Sequence, residues 1–430
     1  MRDESEAPVV VAGGGIGGLV VALTCHELGV PVLVLESVDE IRPLGVGINL
    51  QPNAVRELEA LGLGEELASL GVATRGYSMY AKFGGLIWSE PRGVEAGYRW
   101  PQYSVHRGEL QMMLLRATVD RLGPGSVHTS AEVVGYENDA DGVSVAVAGP
   151  SGRVESVHAS LLLGADGIHS AVRAQMYPDE GEPIWSGRIL WRATTRAKPF
   201  LDGATMVLCG YESTKFVSYP ISKPDESGLA TINWIAQRGF DLSEGYNKED
   251  YTREASVDDF LFAYDGWKFS WLDDLEALVR GAERIYEYPM VDRDPIPSWT
   301  DGHATLLGDA AHVMYPVGSN GASQAIVDAR KIGRAFLDCG VGAAALRAYE
   351  AEMRPATEKM VLTNRTAGPD HIMQIVEDKS GGVFDDIGEV MSHEELTEFA
   401  AGYKRTAGFA IADLNESPPI IPPGSTVDNR

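Results

Sequence analysis

Val9 to Glu36, VVVAGGGIGGLVVALTCHELGVPVLVLE, is the stretch that decides the fold of this chain. Its apolar, β-branched opening, Val9–Ala12, is typical of a buried strand, and Leu19–Leu28 has the composition of a helix. A second apolar run, Val32–Leu35, leads directly into Glu36. The stretch therefore predicts a strand, a helix and a second strand, the unit from which parallel sheets are built.

The turn between the first strand and the helix fits the pattern G-x-G-x-x-G through Gly13, Gly15 and Gly18. In this pattern the glycines allow a tight turn, a close approach of a pyrophosphate and close packing of helix on strand. Glu36 follows Gly18 by 36 − 18 = 18 residues, close to the roughly 20 expected of an acid that binds a ribose hydroxyl. A glycine-rich turn without a ligand is the alternative. The combination of strand, helix, second strand and acid favours a dinucleotide site.

Composition narrows the possible partners. The 430 residues include 36 Lys and Arg against 62 Asp and Glu, which gives a formal net charge of −26. Such acidity disfavours nucleic acids and anionic membrane surfaces. The nine histidines do not have the spacing of a zinc site, so we expect no metal centre.

The lack of a recognisable targeting signal, together with the cysteine usage, predicts a cytoplasmic protein. The first residues lack the pattern of a signal peptide, and glycines interrupt the longest apolar stretch, Val9–Leu23. Cys25, Cys209 and Cys339 are far apart and odd in number, which is typical of thiols in a reducing compartment. We expect a monomer or homodimer with no membrane partner.

Two later blocks repeat the arrangement of a buried strand followed by an acid. Leu161–Arg173 (LLLGADGIHSAVR) carries Asp166, and Thr305–His312 (TLLGDAAH) carries Asp309. The carboxyl ends of the strands are where open α/β sheets bind ligands. An Asp-Gly turn is the commoner interpretation of Asp166 taken alone. Together with Glu36, however, the two acids predict one shared site.

The middle of the chain has a different pattern. Residues 187–237 contain several apolar runs typical of a mainly antiparallel sheet, and 77–88 predict a hairpin. Residues 52–70 and 251–279 are expected to be mostly helical, and residues 392–395 (SHEE) form a capping box. The fold class is α/β. We expect a discontinuous Rossmann-like domain (1–75, 100–180 and 286–370), a substrate domain (76–99 and 181–285) and a helical C-terminal region with an extended tail (371–430).

In their order, the three acid-bearing blocks resemble the flavoprotein aromatic hydroxylases, the single-component FAD monooxygenases of the para-hydroxybenzoate hydroxylase type. The resemblance runs from about Val9 to Leu362. Four stretches are further similar to phenazine-carboxylate monooxygenases of that family: IRPLGVGINLQP (41–52), WSEPRGVEAG (88–97), PQYSVHRGELQ (101–111) and YPMVDRDP (288–295). The loop 208–215 and the chain after Leu362 depart from them.

The resemblance implies that FAD is the cofactor and that the fold is that of para-hydroxybenzoate hydroxylase. It implies the following cofactor contacts: Gly13, Gly15, Ile16, Gly18 and Glu36 at the ADP half, Arg107 and Gln111 beside it, Asp166 near the nicotinamide donor, Asp309 at the ribitol, and Gly45, Gly47, Ile48, Pro316, Gly318, Asn320 and Gly321 around the isoalloxazine. NADH or NADPH would visit the flavin transiently, because only one G-x-G-x-x-G is present. Oxygen would pass from a flavin C4a-hydroperoxide to a small aromatic or heteroaromatic substrate.

We expect the substrate between the antiparallel sheet and the flavin. The pocket candidates are Trp191, Tyr211, Phe216, Tyr219, Trp234, Met290 and Pro316. For each aromatic residue taken alone, ordinary core packing is an equally good interpretation. No side chain stands out as a catalytic acid or base, and His169 and His312 are expected to be structural.

Two alternatives stay open. The first keeps FAD but not oxygen transfer, as in a reductase or dehydrogenase of the same fold; a halogenase is disfavoured because its Trp-x-Trp-x-Ile-Pro motif is absent. The second is a non-catalytic protein that binds flavin or an aromatic ligand. The intact Asp309 and the loop 316–321 disfavour the second alternative.

Overall fold

The computed structural model describes residues 7–241, 253–366, 371–406 and 411–427. The strands are β1 (Val9–Ala12), β2 (Val32–Leu35), β3 (Gly47–Leu50), β4 (Val72–Thr74), β5 (Gly76–Tyr80), β6 (Leu86–Pro91), β7 (Gln102–His106), β8 (Val127–His128), β9 (Glu132–Asn138), β10 (Val143–Ala148), β11 (Val154–Ala159), β12 (Leu161–Gly164), β13 (Ile184–Ala197), β14 (Thr205–Gly210), β15 (Thr214–Pro220), β16 (Ala230–Gly239), β17 (Tyr286–Asp292), β18 (Thr300–Asp301) and β19 (Ala304–Leu306). The helices are α1 (Ile16–Leu28), α2 (Pro52–Ala60), α3 (Gly64–Leu70), α4 (Arg107–Leu122), α5 (Ala171–Met176), α6 (Leu275–Arg280), α7 (Asp309–His312), α8 (Gly321–Cys339), α9 (Ala343–Thr366), α10 (His371–Ser380), α11 (His393–Thr406) and α12 (Ile411–Glu416).

A six-stranded sheet forms around the opening strand, in the order β18-β19-β12-β1-β2-β8. β1 pairs in parallel with β2 and β12, and β12 pairs in parallel with β19. This register places Ala12 beside Leu35 and Gly164, and Gly164 beside Leu306. The turns that follow these strands therefore meet at one edge of the sheet, as the sequence predicts for the acid-bearing blocks.

Helices cover this sheet and bury its apolar strands. Val9, Val10 and Val11 are fully buried, and α1 packs against α4 and α8. A Cβ atom at Gly333 in α8 would lie 2.4 Å from Cγ2 of Thr24 in α1, so the two helices are in close contact there. The helix predicted over 52–70 is interrupted, because Gly62 adopts a φ of +73° between α2 and α3.

A seven-stranded sheet forms the second layer, in the order β17-β13-β16-β15-β14-β5-β6. Its neighbouring pairs are antiparallel except for β14 and β5, which are parallel. The sheet thus combines the hairpin at 77–88 with the strands after residue 184. It also includes β17, which follows the proposed domain boundary at 285. The division of the chain into domains stays a prediction.

The prediction that 251–279 is mostly helical is wrong for the described part, which begins at 253. This segment holds two short 3-10 turns, Val257–Asp259 and Leu261–Tyr264, and only α6 is a regular helix. Gly266, with a φ of +80°, breaks the chain direction in its middle. Aromatic side chains of the segment pack on the sheet instead of following a helical period, as when Phe260 stacks on Trp191.

The C-terminal region packs on the seven-stranded sheet through α10 and α11. Ile372, Met373 and Val376 of α10 share a hydrophobic cluster with Tyr77 and Met79 of β5. The capping box is confirmed, because the backbone N–H of Ser392 donates to Glu395 Oε2 (2.7 Å) and that of Glu395 donates to Ser392 Oγ (3.2 Å). Within the described ranges, no helix is long and apolar enough to cross a membrane.

Candidate active site

The three motif glycines serve different purposes in the turn after β1. Gly13 has a φ of +101°, and a Cβ atom there would lie 2.5 Å from the carbonyl oxygen of Ala165. A Cβ atom at Gly18 would lie 2.0 Å from the carbonyl oxygen of Gly13. Gly15 is different, since a Cβ atom there would meet nothing within 4 Å. The protein's own packing therefore requires Gly13 and Gly18, whereas Gly15 faces open space at the start of α1.

Two side chains predicted at the cofactor, Glu36 and Gln111, bind the backbone N–H and the backbone carbonyl group of Gly14. The backbone N–H of Gly14 donates to Glu36 Oε2 (2.7 Å), and Gln111 Nε2 donates to the carbonyl oxygen of Gly14 (2.9 Å). The other oxygen of Glu36 accepts a hydrogen bond from the backbone N–H of Val38 (3.1 Å). Glu36 thus lies at the end of β2 beside the glycine turn, as the spacing predicts.

The two later acids lie at the same sheet edge in different environments. Asp166 Oδ2 accepts from the backbone N–H of Ala171 (2.8 Å), while its Oδ1 is buried with no hydrogen-bond partner in the described part of the chain. Burial raises the pKa of Asp166, although hydrogen bonds from Ser170 and from the start of α5 act in the opposite direction. Asp309 begins α7 and its side chain is exposed.

His312 supports the turn that carries Asp309. Its Nε2 lies 2.6 Å from Oδ2 of Asp328, which is fully buried and also accepts a hydrogen bond from the backbone N–H of Gly308 (3.0 Å). Burial alone would lower the pKa of His312, but the charge and hydrogen bond of Asp328 outweigh it and raise that pKa. The contacts agree with the structural role expected for His312. His169 is exposed.

A cavity of about 320 Å³ opens beside the glycine turn and is the first half of the site. It runs from the start of α1 to the start of α8 and includes nine of the residues predicted at the cofactor: Gly15, Ile16, Gly47, Ile48, Arg107, Asp309, Pro316, Asn320 and Gly321. The other residues predicted at the cofactor do not line this cavity but lie close to it. Gly13 and Gly18 are in the glycine turn, and Glu36, Gln111 and Asp166 surround that turn. Gly45 lies against the side chain of Arg107, and Gly318 lines an adjoining cavity.

Residues of the seven-stranded sheet hold the backbone of Gly47 in place. Its N–H donates to Asn233 Oδ1 (2.7 Å), and its carbonyl oxygen accepts from Tyr219 Oη (2.9 Å) and Arg192 Nη2 (3.1 Å). A Cβ atom at this position would lie 2.6 Å from Cγ of Asn233. This clamp joins β3, the edge strand of a three-stranded sheet in the order β3-β7-β4, to the seven-stranded sheet beside the first cavity. Sequence reasoning did not single out Asn233 or Arg192.

A second cavity, of about 130 Å³, adjoins the first and lies over the seven-stranded sheet. Tyr219, Ile235, Pro316 and Ser319 line both cavities, so this is where they meet. Most residues that line the second cavity are apolar. They include Met79, Leu190, Met206, Leu208, Val217 and Met290 from the sheet, and Ile372, Leu396 and Phe399 from the C-terminal helices. Three of the seven pocket candidates line it, namely Tyr219, Met290 and Pro316.

The other four candidates do not line it. Trp191, Phe216 and Trp234 belong to a hydrophobic cluster on the opposite face of the sheet. There Trp191 Nε1 donates to Glu287 Oε2 (2.7 Å) and Trp234 Nε1 donates to Thr195 Oγ1 (3.0 Å). Side chains alternate along β13, and its cavity face carries Leu190 and Arg192 rather than Trp191. Tyr211 lies beside Lys82, whose Nζ is 5.3 Å from its ring centroid.

Charged groups at the second cavity are few, and sequence reasoning missed them. Arg92 lies 2.8 Å from Glu90 and 4.4 Å above the ring of Tyr77. Lys215 also lines the cavity and is only 6% exposed. Burial, together with the nearby charge of Arg188, lowers the pKa of Lys215 to about 7, against the opposing effect of Glu212. Alternation along β15 is the signal that would have found it, because Lys215, Val217 and Tyr219 share one face.

A glycine turn, strand-end acids and an adjoining pocket under a second sheet define a dinucleotide-dependent oxidoreductase. The open space at Gly15 and the buried, unpartnered Oδ1 of Asp166 fit a ligand with a pyrophosphate and hydroxyl groups. Comparison with known proteins agrees. The family described as FAD binding domain matches residues 6–257 and 283–364. The chain belongs to this family, and FAD is its cofactor.

Named relatives identify the chemistry. The chain is 46% identical over 376 residues to phenazine 1,6-dicarboxylic acid hydroxylase PhzS of Lysobacter antibioticus, covering 85% of this chain and 91% of that protein. It is 31% identical to 3-hydroxybenzoate 6-hydroxylase 1 of Aquipseudomonas alcaligenes, covering 75% and 78%. Klebsiella pneumoniae HpxO, complexed with FAD and uric acid, has the same fold, with a TM-score of 0.72 at 23% identity over 97% of this chain and 99% of that chain. The chain is an FAD-dependent aromatic monooxygenase.

Proposed function

We propose that this enzyme hydroxylates a phenazine carboxylate. NAD(P)H and O₂ are consumed, one oxygen atom enters the ring as a hydroxyl group, and the other leaves as water. The observation that carries the proposal is the apolar second cavity, which meets the cofactor cavity at Tyr219, Ile235, Pro316 and Ser319. A flat, apolar ring system suits such a lining. Identity of 46% to a relative named as a phenazine 1,6-dicarboxylic acid hydroxylase supports the same ring system.

The cofactor contacts are part of the proposal. The pyrophosphate would lie at Gly15 and the N-terminus of α1, where free N–H groups favour anions. Asp309, exposed in the first cavity, is placed to accept hydrogen bonds from the ribitol. The isoalloxazine would lie between the Gly47 peptide and the loop from Pro316 to Gly321.

Bound FAD supplies the electron transfer and the oxygen activation. The chain itself positions and shields the reactants. The clamp on Gly47 fixes one wall of the cofactor cavity, and the N-terminus of α8 at Gly321 favours negative charge near the ring. Leu396 and Phe399 add apolar side chains to the lining of the substrate cavity. None of these residues acts as an acid or base, so the proposal assigns no catalytic proton donor.

The decisive experiment is turnover of the FAD-loaded enzyme with NADH or NADPH, with phenazine-1-carboxylate and phenazine-1,6-dicarboxylate as substrates. We expect substrate-stimulated oxidation of the nicotinamide and a product that is hydroxylated on the ring. Oxidation that yields only hydrogen peroxide with every phenazine would refute the phenazine assignment. Oxidation without oxygen uptake would instead favour a reductase.

We further propose a cytoplasmic location and a monomeric or homodimeric state. Cys25, Cys209 and Cys339 are free thiols, and the first two are buried, which suits a reducing compartment. Size-exclusion chromatography with light scattering tests the oligomeric state.

A further inference from the structure

The wall of the cofactor cavity holds an arginine that pairs with no acidic side chain among the described residues. This is Arg192, which lines the cofactor cavity and not the second one. Its Nη2 donates to the carbonyl oxygen of Gly47 (3.1 Å), and its guanidinium carbon lies 5.8 Å from the centre of the Tyr288 ring. Its Nε is buried and has no hydrogen-bond partner in the described part of the chain. A carbonyl group and a neutral ring are thus its neighbours, and neither supplies a compensating negative charge.

Two other buried arginines show what is unusual about this one. Arg173 pairs with Glu180, and the fully buried Arg330 pairs with Glu57 (3.3 Å). A guanidinium group that leaves water without such a partner is costly, and burial accordingly lowers the pKa of Arg192. An arrangement of this kind is expected where a ligand brings the missing negative charge.

The other charges of the cofactor cavity do not compensate for this arginine. Arg107 and Asp309 are the further charged side chains of the described lining, and both are exposed. Together with Arg192 they give two positive charges against one negative. The N-terminus of α8 at Gly321 borders the same cavity and adds partial positive charge. Because the protein as a whole carries a charge of −26, this excess of positive charge is particular to the cavity.

Reduction of the cofactor creates a negative charge in this cavity. The nicotinamide gives up a hydride, which is two electrons and one proton, so its ring becomes a cation and the neutral isoalloxazine becomes an anion. The proposed place of the isoalloxazine is against the Gly47 peptide, and Arg192 binds the carbonyl oxygen of that peptide. An arginine stays protonated throughout the physiological pH range. The unbalanced cation and the new anion are therefore expected on the same side of the cavity.

We propose that Arg192 stabilises the negative charge that the isoalloxazine carries after reduction. The inference rests on the proposed function, from which it takes the place of the ring, and it deepens that function by assigning a residue to this charge. Nη2 of Arg192 holds the Gly47 peptide, while the charge of the guanidinium group favours the reduced over the oxidised cofactor. Arg192 thereby raises the midpoint potential of the bound flavin and makes the enzyme easier to reduce.

The test is the two-electron midpoint potential of the FAD-loaded enzyme, measured without substrate by equilibration with a reference dye. In Arg192→Met the affinity for reduced relative to oxidised cofactor should fall about 10-fold, the lower end of what one hydrogen bond to a charged group contributes. This fall corresponds to a midpoint potential that is lower by about 30 mV. The Kd for oxidised FAD, obtained by titration, should stay within about threefold of the wild-type value because the oxidised ring is neutral.

Matched variants separate the charge of Arg192 from its hold on Gly47. Tyr219→Phe removes another donor to the same carbonyl oxygen but no charge, so its midpoint potential should equal that of the wild type. Arg196→Met removes an exposed arginine four residues further along β13, where it pairs with Asp225, and should also leave the potential unchanged. Arg192→Lys keeps the positive charge and should retain most of the wild-type potential. A residue needed only to hold Gly47 would instead give Arg192→Met and Tyr219→Phe the same potential.

The outcomes distinguish this inference from the proposed function. If Arg192→Met keeps the wild-type potential, or if Arg192→Lys lowers it as far as Arg192→Met does, the inference is wrong, even when phenazines are hydroxylated. If the potential falls only in Arg192→Met and the enzyme hydroxylates no phenazine, the role of Arg192 stands and the phenazine assignment falls. Should Arg192→Met fail to fold or to bind FAD, Arg192→Gln, which keeps a donor for the Gly47 carbonyl oxygen, takes its place. A wild-type potential in Arg192→Gln would then overturn the inference.

Discussion

Replacement of Gly15 and of Gly18 by alanine should separate cofactor binding from folding. The two glycines are three residues apart in one motif, yet their surroundings differ. A Cβ atom at Gly15 meets nothing within 4 Å, and the φ of −73° there suits any residue. A Cβ atom at Gly18 lies 2.0 Å from the carbonyl oxygen of Gly13. Only the second substitution conflicts with the protein itself.

For Gly18→Ala we expect a less stable apoprotein. Overpacking of this kind costs about 1–3 kcal/mol, and contact with a backbone atom, which no rotamer change relieves, belongs at the upper end. Higher helix propensity returns about 1 kcal/mol, so the net loss should be about 2 kcal/mol. For Gly15→Ala the lower entropy of the unfolded chain and the weaker helix cap nearly cancel, and the apoprotein should stay within about 1 kcal/mol of wild type.

For FAD binding, the substitution expected to have the large effect is Gly15→Ala. The methyl group of Gly15→Ala occupies the space where the pyrophosphate would approach the backbone. Loss of two hydrogen bonds to charged oxygens, about 1.5 kcal/mol each, weakens FAD binding about 100-fold. At an FAD concentration of 100 times the wild-type Kd, FAD stabilises the wild type by about 2.7 kcal/mol but this variant by only about 0.4 kcal/mol.

The assay is urea unfolding of each apoprotein with and without FAD, supported by FAD titration. The reasoning would be refuted by a Gly15→Ala apoprotein as unstable as Gly18→Ala. It would equally be refuted if FAD stabilised Gly15→Ala as much as the wild type, because the pyrophosphate would then lie elsewhere.

Three further substitutions test other parts of the site. Asp328→Ala leaves the buried side chain of His312 without its counter-charge and should lower the free energy of unfolding by about 3–5 kcal/mol in a denaturation experiment. The control is Asp338→Ala, in the exposed ion pair with Arg334, which should lower that free energy by at most about 0.5 kcal/mol. Tyr219→Phe removes one donor to the carbonyl oxygen of Gly47 and should cost about 1 kcal/mol of stability, with more hydrogen peroxide formed per NAD(P)H; unchanged peroxide yield would argue against the clamp. Phe399→Ala removes part of the wall of the substrate cavity and should raise the peroxide yield without changing the Kd for FAD. A fall in FAD affinity would contradict the placement of Phe399 at the substrate cavity rather than at the cofactor cavity.

Local patterns in the sequence were enough to predict the cofactor half of the fold. Short apolar strands followed by Gly13, Asp166 or Asp309 can be recognised along the chain because their period and their turn residues are local properties. The parallel register then brings these turns to one edge. The capping box at Ser392 was predicted for the same reason, since all its partners lie within four residues.

The substrate half depended on contacts between distant residues. Alternation shows that Trp191 and Arg192 face opposite sides of β13, but only the packing of the aromatic segment around Phe260 decides which side is core. Aromatic residues are good candidates for a pocket and equally good core residues, so Trp191, Phe216 and Trp234 could not be assigned from composition. Alternation along β15 puts Lys215 on the same face as Tyr219, but only the packing of the sheet shows that this face lines the cavity.

By itself, the sequence determined the dinucleotide turn, the α/β class and the family, because glycine spacing, hydrophobic period and strand-end acids are written along the chain. Only the tertiary structure decided which face of the seven-stranded sheet meets the cofactor cavity, that C-terminal helices line the substrate cavity, and that Asn233 and Tyr219 hold Gly47. Those features arise where sheets and helices from separate parts of the chain pack together, and the energy of such packing depends on shapes and partners that no local pattern contains.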